Sequence, residues 1–314
     1  MNRKPLISII TPAYNSEKFI RRTWRSIKGQ TYKNFEWIII DDGSKDNSRD
    51  IIDSSLRDKR IKKIFLKNNK GANHARNVGD KKCKGDYVIY LDADDLFHNK
   101  NSIQEMVNEI IKTDKKVSQV IFPVITASGN NRSQTYCKDK SFRIDYPENI
   151  CRTRIRGDFF SITKKSIVKQ LRWPEEYYGM ESLRHFRMYE KYSLIYVNKP
   201  MMIYNDSHEN NQTSAANLLK RTKELEKGTK LLIHRYKNVW IKNCKRTYGR
   251  YLFKLSFYQA LQGKNGESWR TLLRSALNNG PKVDITILVL LLIIPINLRR
   301  YLFIKLKRRI SRVY

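Results

Sequence analysis

The sequence predicts an α/β protein: a Rossmann-like, mostly parallel sheet with helices on both faces, followed by a basic helical module. Three observations carry this. Apolar runs of strand length alternate with helix-period segments over the first hundred residues. Two of these runs end in carboxylates, Asp41-Asp42 and Asp92-Ala93-Asp94-Asp95, the strand end where open α/β sheets bind ligands. The net charge of +33 is unevenly spread, with 23 Lys/Arg against 4 Asp/Glu in residues 215–314, or +19.

Leu6–Thr11 reads as a buried first strand, and Pro12-Ala13-Tyr14-Asn15 is expected to leave the sheet because proline has no N–H for the ladder. Asn15 or Ser16 suits the N-cap of a helix from about Glu17 to Ile27, ending at Gly29. Phe35–Ile40 is a second strand. Ser44 or Asp46 suits the cap of a helix carrying Ile51, Ile52 and Leu56. Ile61–Leu66 is a third strand, and Gly71–Gly79 opens a helix that leads back to Gly85. Tyr87–Leu91 has no polar alternation, which fits a central strand covered on both faces. This order predicts parallel, right-handed winding.

Further on, Ser102–Ile111 reads as a helix, Val117–Ile125 as a strand, and 126–150 as polar and irregular. Gly157–Ile162 returns to the sheet, Lys164–Leu171 is a short helix, and 215–282 is helical. The expected domains are 1–214, with a nucleotide-sugar half (1–125) and an acceptor half (126–214), and a basic helical module over 215–314. Cys83, Cys137, Cys151 and Cys244 are scattered, so they read as reduced thiols of a cytosolic chain. Leu6–Ile10 is too short for a signal-peptide core.

Asp92 and Asp94 repel one another unless a cation neutralises them. Hard oxygen ligands suit Mg²⁺ or Mn²⁺ shared with a substrate's phosphates; an acidic turn is the plainer alternative. Two acidic clusters on one edge, with Arg76 at a nearby helix start for phosphates, make a nucleotide site. No Gly-x-Gly-x-x-Gly or Walker loop is present, which disfavours dinucleotide enzymes and P-loop NTPases.

Thr11-Pro12-Ala13-Tyr14-Asn15, Asp41-Asp42-Gly43-Ser44, Ala75-Arg76-Asn77-x-Gly79 and Leu91-Asp92-Ala93-Asp94-Asp95 together resemble the family 2 glycosyltransferases of the GT-A fold. The resemblance covers about the first 100 residues. It implies an inverting transferase that uses a nucleotide-activated sugar, usually a UDP-sugar, with Mn²⁺ or Mg²⁺. It is similar to bacterial enzymes that decorate capsule, lipid-linked glycans or wall teichoic acid, so the implied acceptor is a glycan or lipid-linked glycan. By position, Pro12, Ala13 and Tyr14 would border the nucleoside, and Asp41 or Asp42 would accept from the base. Arg76 would meet the diphosphate, or else pair with an aspartate. Asp92, Ala93 and Asp94 would hold ribose and metal. His74 falls outside the pattern and reads as a surface residue. The family often carries a Glu-Asp pair ahead of a helix; here Glu181 is followed by Ser182, which leaves Glu181 as the base, with Glu175 and Glu176 as runners-up. His208, in a polar loop after Tyr204, is a candidate for phosphate or metal, or is merely solvated.

Ile285–Ile294 is apolar but for Thr286 and spans half a bilayer, so it fits either a membrane-dipping segment or a buried core helix. After it, Leu298, Leu302, Leu306, Ile310 and Val313 share one helical face, with Lys305, Arg308 and Arg312 on another, as an interfacial helix requires. The expected place is the cytoplasmic side, peripheral on the inner face of the cell membrane, with an anionic surface as partner and room for a homo-oligomer. The rivals are an inactive GT-A scaffold, suggested by Ser182, and a nucleic-acid binder. The second is disfavoured because the basic residues are not interleaved with an RNA-reading motif.

Overall fold

The computed structural model describes residues 3–177, 179–206 and 215–310. The chain forms two units. The first holds residues 1–149, 154–175 and 184–207; the second holds 150–153, 176–183 and 208–314.

The first unit is built on a ten-stranded sheet. In chain order it begins β1 (Ile7–Ala13), α1 (Ile20–Lys28), β2 (Phe35–Asp41), α2 (Ser48–Asp50, continued by a π-turn over Ile51–Ser55), β3 (Ile61–Phe65), α3 (Ala72–Lys82) and β4 (Tyr87–Tyr90). It continues with β5 (Leu96–Phe97), α4 (Ser102–Ile110), β6 (Val117–Thr126), β7 (Ser133–Thr135), β8 (Ser141–Ile144), α5 (Glu148–Cys151), β9 (Ile155–Gly157), β10 (Phe159–Lys164) and α6 (Lys165–Val168). α7 (Ser182–Tyr189), β11 (Ser193–Val197) and β12 (Met202–Tyr204) follow. The strand order is β3-β2-β1-β4-β10-β6-β11-β8, with β12 against β5 and β6. The first four strands are parallel, as expected, and β10 enters antiparallel between β4 and β6. The segment 126–150, expected to be irregular, contributes β7 and β8.

Alternate residues of β1 and β2 explain the two apolar faces. Ile7, Ile9, Trp37 and Ile39 pack on one side with Ile20, Trp24 and Met106 of α1 and α4. Ile10, Ile38 and Ile40 pack on the other with Ala75 of α3. Gly79 lets α3 approach: a Cβ there would stand 2.5 Å from Ile10 Cγ2.

Pro12 does not leave the sheet. It pairs in register with Ile40, and Ala13 with Asp41. Ala13 O accepts from Asp42 N at 2.8 Å, so the odd residues of β1 face β2, while Ile10 O accepts from Leu91 N on the β4 side. The β4 ladder ends at the Ile10–Tyr90 pair. The missing N–H of Pro12 therefore falls beyond the end of the β4 ladder. The expected helix start also shifts. α1 begins at Ile20, and Asn15, at φ 49°, uses its Oδ1 to accept from Lys45 N at 2.9 Å instead of capping.

The second unit contains α8 (Ala215–Lys220), α9 (Thr222–Asn243), α10 (Lys245–Leu261), α11 (Asn265–Leu277), α12 (Lys282–Ile293) and α13 (Ile296–Ile310). Phe253, Phe257, Leu261, Leu272, Leu288, Leu292 and Phe303 form its core. Leu288 and Leu292 thus fit the buried-helix alternative for their segment, while Ile293 is exposed. Among the described residues no helix is long and apolar enough to cross a membrane.

One expectation is corrected here. Cys151 and Cys244 are joined in a disulfide and only Cys83 and Cys137 are free thiols; partners 93 residues apart leave no local spacing signal. In α13, among the residues whose side chains are described, Arg299 and Phe303 are buried and Leu298 is exposed. The Arg299 guanidinium donates to Leu292 O and Ile294 O at 3.1 Å each, satisfying carbonyls at the end of α12.

Candidate functional site

The strand tips of β2, β1 and β4 lie side by side, so Asp41-Asp42, Ala13-Tyr14 and Asp92–Asp95 share one edge of the first unit. The loops there are laced together. Asn15 N donates to Ser44 Oγ at 3.0 Å. Arg22 of α1 donates to Asp94 O at 2.9 Å, and Thr23 to Ala93 O at 2.7 Å. Tyr14 is exposed, whereas Pro12 and Ala13 are buried in the strand.

The two acids at the tip of β2 differ. Asp42 accepts from Lys70 N at 3.1 Å and Gly71 N at 2.7 Å, which fixes the entry to α3. Burial pushes its carboxyl up against these hydrogen bonds. Asp41 Oδ2 takes only a long bond from Ser44 N at 3.4 Å, and its Oδ1 is buried without a partner.

Arg76 Nη2 donates to Asp92 Oδ1 at 2.9 Å and Nη1 to Asn73 Oδ1 at 3.2 Å. The aspartate pairing considered from sequence is therefore present. Asp94 is pushed up to about 6 by burial and then by Asp92. Asp95 is raised by burial, Asp92 and Asp94, and its Oδ1 accepts from Asn205 N at 3.0 Å. Clustered carboxylates that raise one another are a donor set suited to a hard divalent cation. Among the described residues no three acid, His or Cys groups converge as a metal site.

Sequence reasoning missed what supports Arg76. Its guanidinium lies over the Trp173 ring at 5.0 Å, and that of Arg184 lies over the same ring at 4.1 Å. Asn73 donates to Pro174 O at 3.0 Å, and Asn77 donates to Glu175 Oε1 at 2.6 Å. His74 Nδ1 pairs with Glu175 Oε2 at 2.9 Å, so it is no idle surface residue. Burial raises the Glu175 carboxyl, but hydrogen bonds from His74 and Asn77 overcome this and hold it low. Beneath, Tyr90 Oη donates to Asp80 Oδ1 at 2.6 Å, and burial pushes Asp80 up to about 6. The only sequence signal was the helical spacing of Asn73, Arg76, Asn77 and Asp80 on one face of α3.

Glu181 belongs to the second unit. It follows Met180, a buried side chain that occupies the space over Gly228 of α9. His208 lies outside the described residues.

The profile of "Glycosyl transferase family 2" matches residues 8–172, more than half of the chain. The chain belongs to glycosyl transferase family 2. As a family 2 member it is an enzyme of the glycosyltransferase class. An uncharacterized glycosyltransferase of Haemophilus influenzae is 35% identical over 175 residues, covering 54% of this chain and 66% of that protein. The GalNAc(5)-diNAcBac-PP-undecaprenol beta-1,3-glucosyltransferase of Campylobacter jejuni is 27% identical over 305 residues, 94% of this chain and 95% of that one. Among solved structures, S. aureus TarS 1-349 in complex with UDP-GlcNAc superposes with a TM-score of 0.58 at 16% identity, covering 96% of this chain and 91% of that one. The Pyrobaculum calidifontis mannosyltransferase with GDP-Man and Mn2+ gives 0.56 at 15%, covering 92% and 79%. These neighbours share the GT-A fold with this family 2 chain.

Proposed function

We propose that the chain transfers a sugar from a UDP-sugar to a hydroxyl of a cell-envelope glycan, carried on lipid or polymer, with inversion at the anomeric carbon. The observation that carries the donor assignment is the buried, unpartnered Oδ1 of Asp41 beside an acidic strand tip. An orphaned buried acceptor is costly and calls for a donor such as the imide N–H of uracil. Asp42, with its oxygens committed to Lys70 and Gly71, is the less suited of the pair. Pro12, Ala13 and Tyr14 wall the nucleoside side, and Ala93 leaves room beside the ribose.

Asp94, with Asp92, would hold a Mn²⁺ or Mg²⁺ ion, and when bound such an ion neutralises charge on the leaving diphosphate. Arg76 shares that task by exchanging part of its contact with Asp92 for a phosphate oxygen. Trp173 keeps the guanidinium plane in place as it does so. Glu181 takes the proton of the acceptor hydroxyl, whose oxygen forms the bond to C1 while the C1–O bond to UDP breaks on the opposite face. Glu175 is the weaker candidate because both its oxygens are engaged.

The acceptor class is supported by the names of relatives, an undecaprenol-linked glycan enzyme and a putative teichuronic acid enzyme, TuaG, of Bacillus subtilis. The reading places the enzyme at the inner face of the membrane, where its surplus of +19 in residues 215–314 meets anionic lipid. A thermal-shift screen of nucleotide sugars with Mn²⁺ tests the donor, since a ligand of the folded state raises its melting temperature. UDP-sugars are expected to stabilise the chain; stabilisation by GDP-sugars alone would overturn the assignment.

A further inference from the structure

α9, α10 and α11 enclose an open groove of about 460 Å³ in the second unit. Lys230, His234 and Lys237 of α9 form one wall, and Arg270 and Arg274 of α11 form the other. Helical spacing puts each set on one face. Some of this charge is answered: Lys230 pairs with Glu226 at 2.6 Å, and Arg274 donates to Tyr248 Oη at 3.0 Å. The one acid of the groove, Glu267, accepts from Gln259 Nε2 at 3.1 Å. Among the described residues no carboxylate pairs with Lys237 or Arg270, and both are exposed. At the floor Gln259 is 3% exposed, and its Oε1 has no hydrogen-bond partner. A fitting ligand therefore brings anionic oxygens to the two cations and a hydroxyl proton to the buried amide oxygen.

Beside the groove, Trp269, Leu273 and Leu277 of α11 recur every fourth residue, 42%, 63% and 68% exposed. Trp269 and Leu273 each lie one position from a groove residue, Arg270 and Arg274, so an apolar ridge runs beside the basic trough and continues one turn on to Leu277. A Trp-Leu ridge flanked by Lys and Arg is the pattern of an interfacial contact with a bilayer.

We propose that this groove seats the hydroxyl-bearing phosphate headgroup of a membrane lipid, with Trp269, Leu273 and Leu277 entering the acyl boundary. The inference rests on the reading that the enzyme works at a lipid surface, but it assigns the contact to α9 and α11 rather than to α12 and α13.

The test is co-sedimentation of the full chain with vesicles of phosphatidylcholine alone or with phosphatidylglycerol. The wild type is expected to bind the phosphatidylglycerol vesicles. Lys237→Glu/Arg270→Glu and Trp269→Ser/Leu273→Ser should each weaken binding at least ~10-fold with unchanged melting. Leu298→Ser/Ile304→Ser on the exposed side of α13 should bind as the wild type does. If only the α13 variant is released, the groove assignment is wrong while the membrane reading stands. If the wild type ignores both vesicle types, both fail. Stabilisation by free glycerol 1-phosphate, lost in Lys237→Glu/Arg270→Glu and unmatched by vesicles, would give the groove to a soluble phosphate ester instead. A lipid-free dimer dissolved by Leu273→Ser would give the ridge to a second copy, which also overturns the proposal.

Discussion

Asn77 grips the backbone of Trp173 from both sides: its Nδ2 donates to Trp173 O at 3.0 Å, and its Oδ1 accepts from Trp173 N at 2.8 Å. This fixes the indole over which the guanidiniums of Arg76 and Arg184 lie. Asn77 thus acts on the candidate donor site through Trp173 and Arg76, and through its bond to Glu175 Oε1, as a positioning residue. Asn77→Ala removes two buried hydrogen bonds, and about 1–3 kcal/mol of stability should go with them. Calorimetric titration should also show UDP binding several-fold weaker, with Trp173→Ala reproducing the affinity loss. Unchanged affinity in a folded Asn77→Ala protein would make the clamp purely structural.

The base assignment separates two glutamates of different standing. Glu175 has both oxygens engaged, to Asn77 and His74. Glu181→Gln should lower kcat by ~10²–10⁴-fold with UDP affinity nearly intact, because a base acts in the chemical step. Glu175→Gln should instead reduce stability and retain most turnover. An inactive Glu175→Gln beside a fully active Glu181→Gln would reverse the roles.

The fold was legible in sequence where burial is continuous. Ile7–Ile10 and Phe35–Ile40 are apolar but for Ser8 and Glu36, Tyr87–Tyr90 carries no charged residue, and all three lie in central strands. Pro12 misled because its cost depends on which neighbour its N faces, and that is a property of the β1–β4 register. The acidic tips were legible as a pair, but the N–H groups that occupy Asp42, those of Lys70 and Gly71, lie 28 and 29 residues on. The clamp on Trp173 joins positions 96 residues apart, and the Cys151–Cys244 disulfide spans 93. Neither separation leaves a periodic signal. Nothing in the sequence marks Arg299 as buried, because its partners, carbonyls of Ala260, Leu292 and Ile294, carry no side-chain signature.

Asp80 gives a pH signature. Its buried carboxyl is pushed up to about 6, against about 3.9 for an unfolded chain. The folded state therefore binds the proton more tightly. Its contribution is full below about pH 4 and is lost as pH rises through about 6, roughly 2–3 kcal/mol in all. Asp80→Asn keeps an acceptor for Tyr90 Oη and does not ionise. The stability of the variant relative to wild type, from urea unfolding, should rise by that amount between pH 4 and 7. A flat difference would mean that Asp80 stays ionised.

The most direct test of the donor site is calorimetric titration of UDP, with Mn²⁺ present, into the wild-type chain and into Asp41→Asn. The amide keeps the size of the carboxylate but loses its charge and one acceptor, so binding should weaken at least ~10-fold, about 1.4 kcal/mol, with melting unchanged. The same affinity in both proteins would contradict the account, because the unpartnered carboxylate oxygen at the tip of β2 would then have no part in holding the nucleotide.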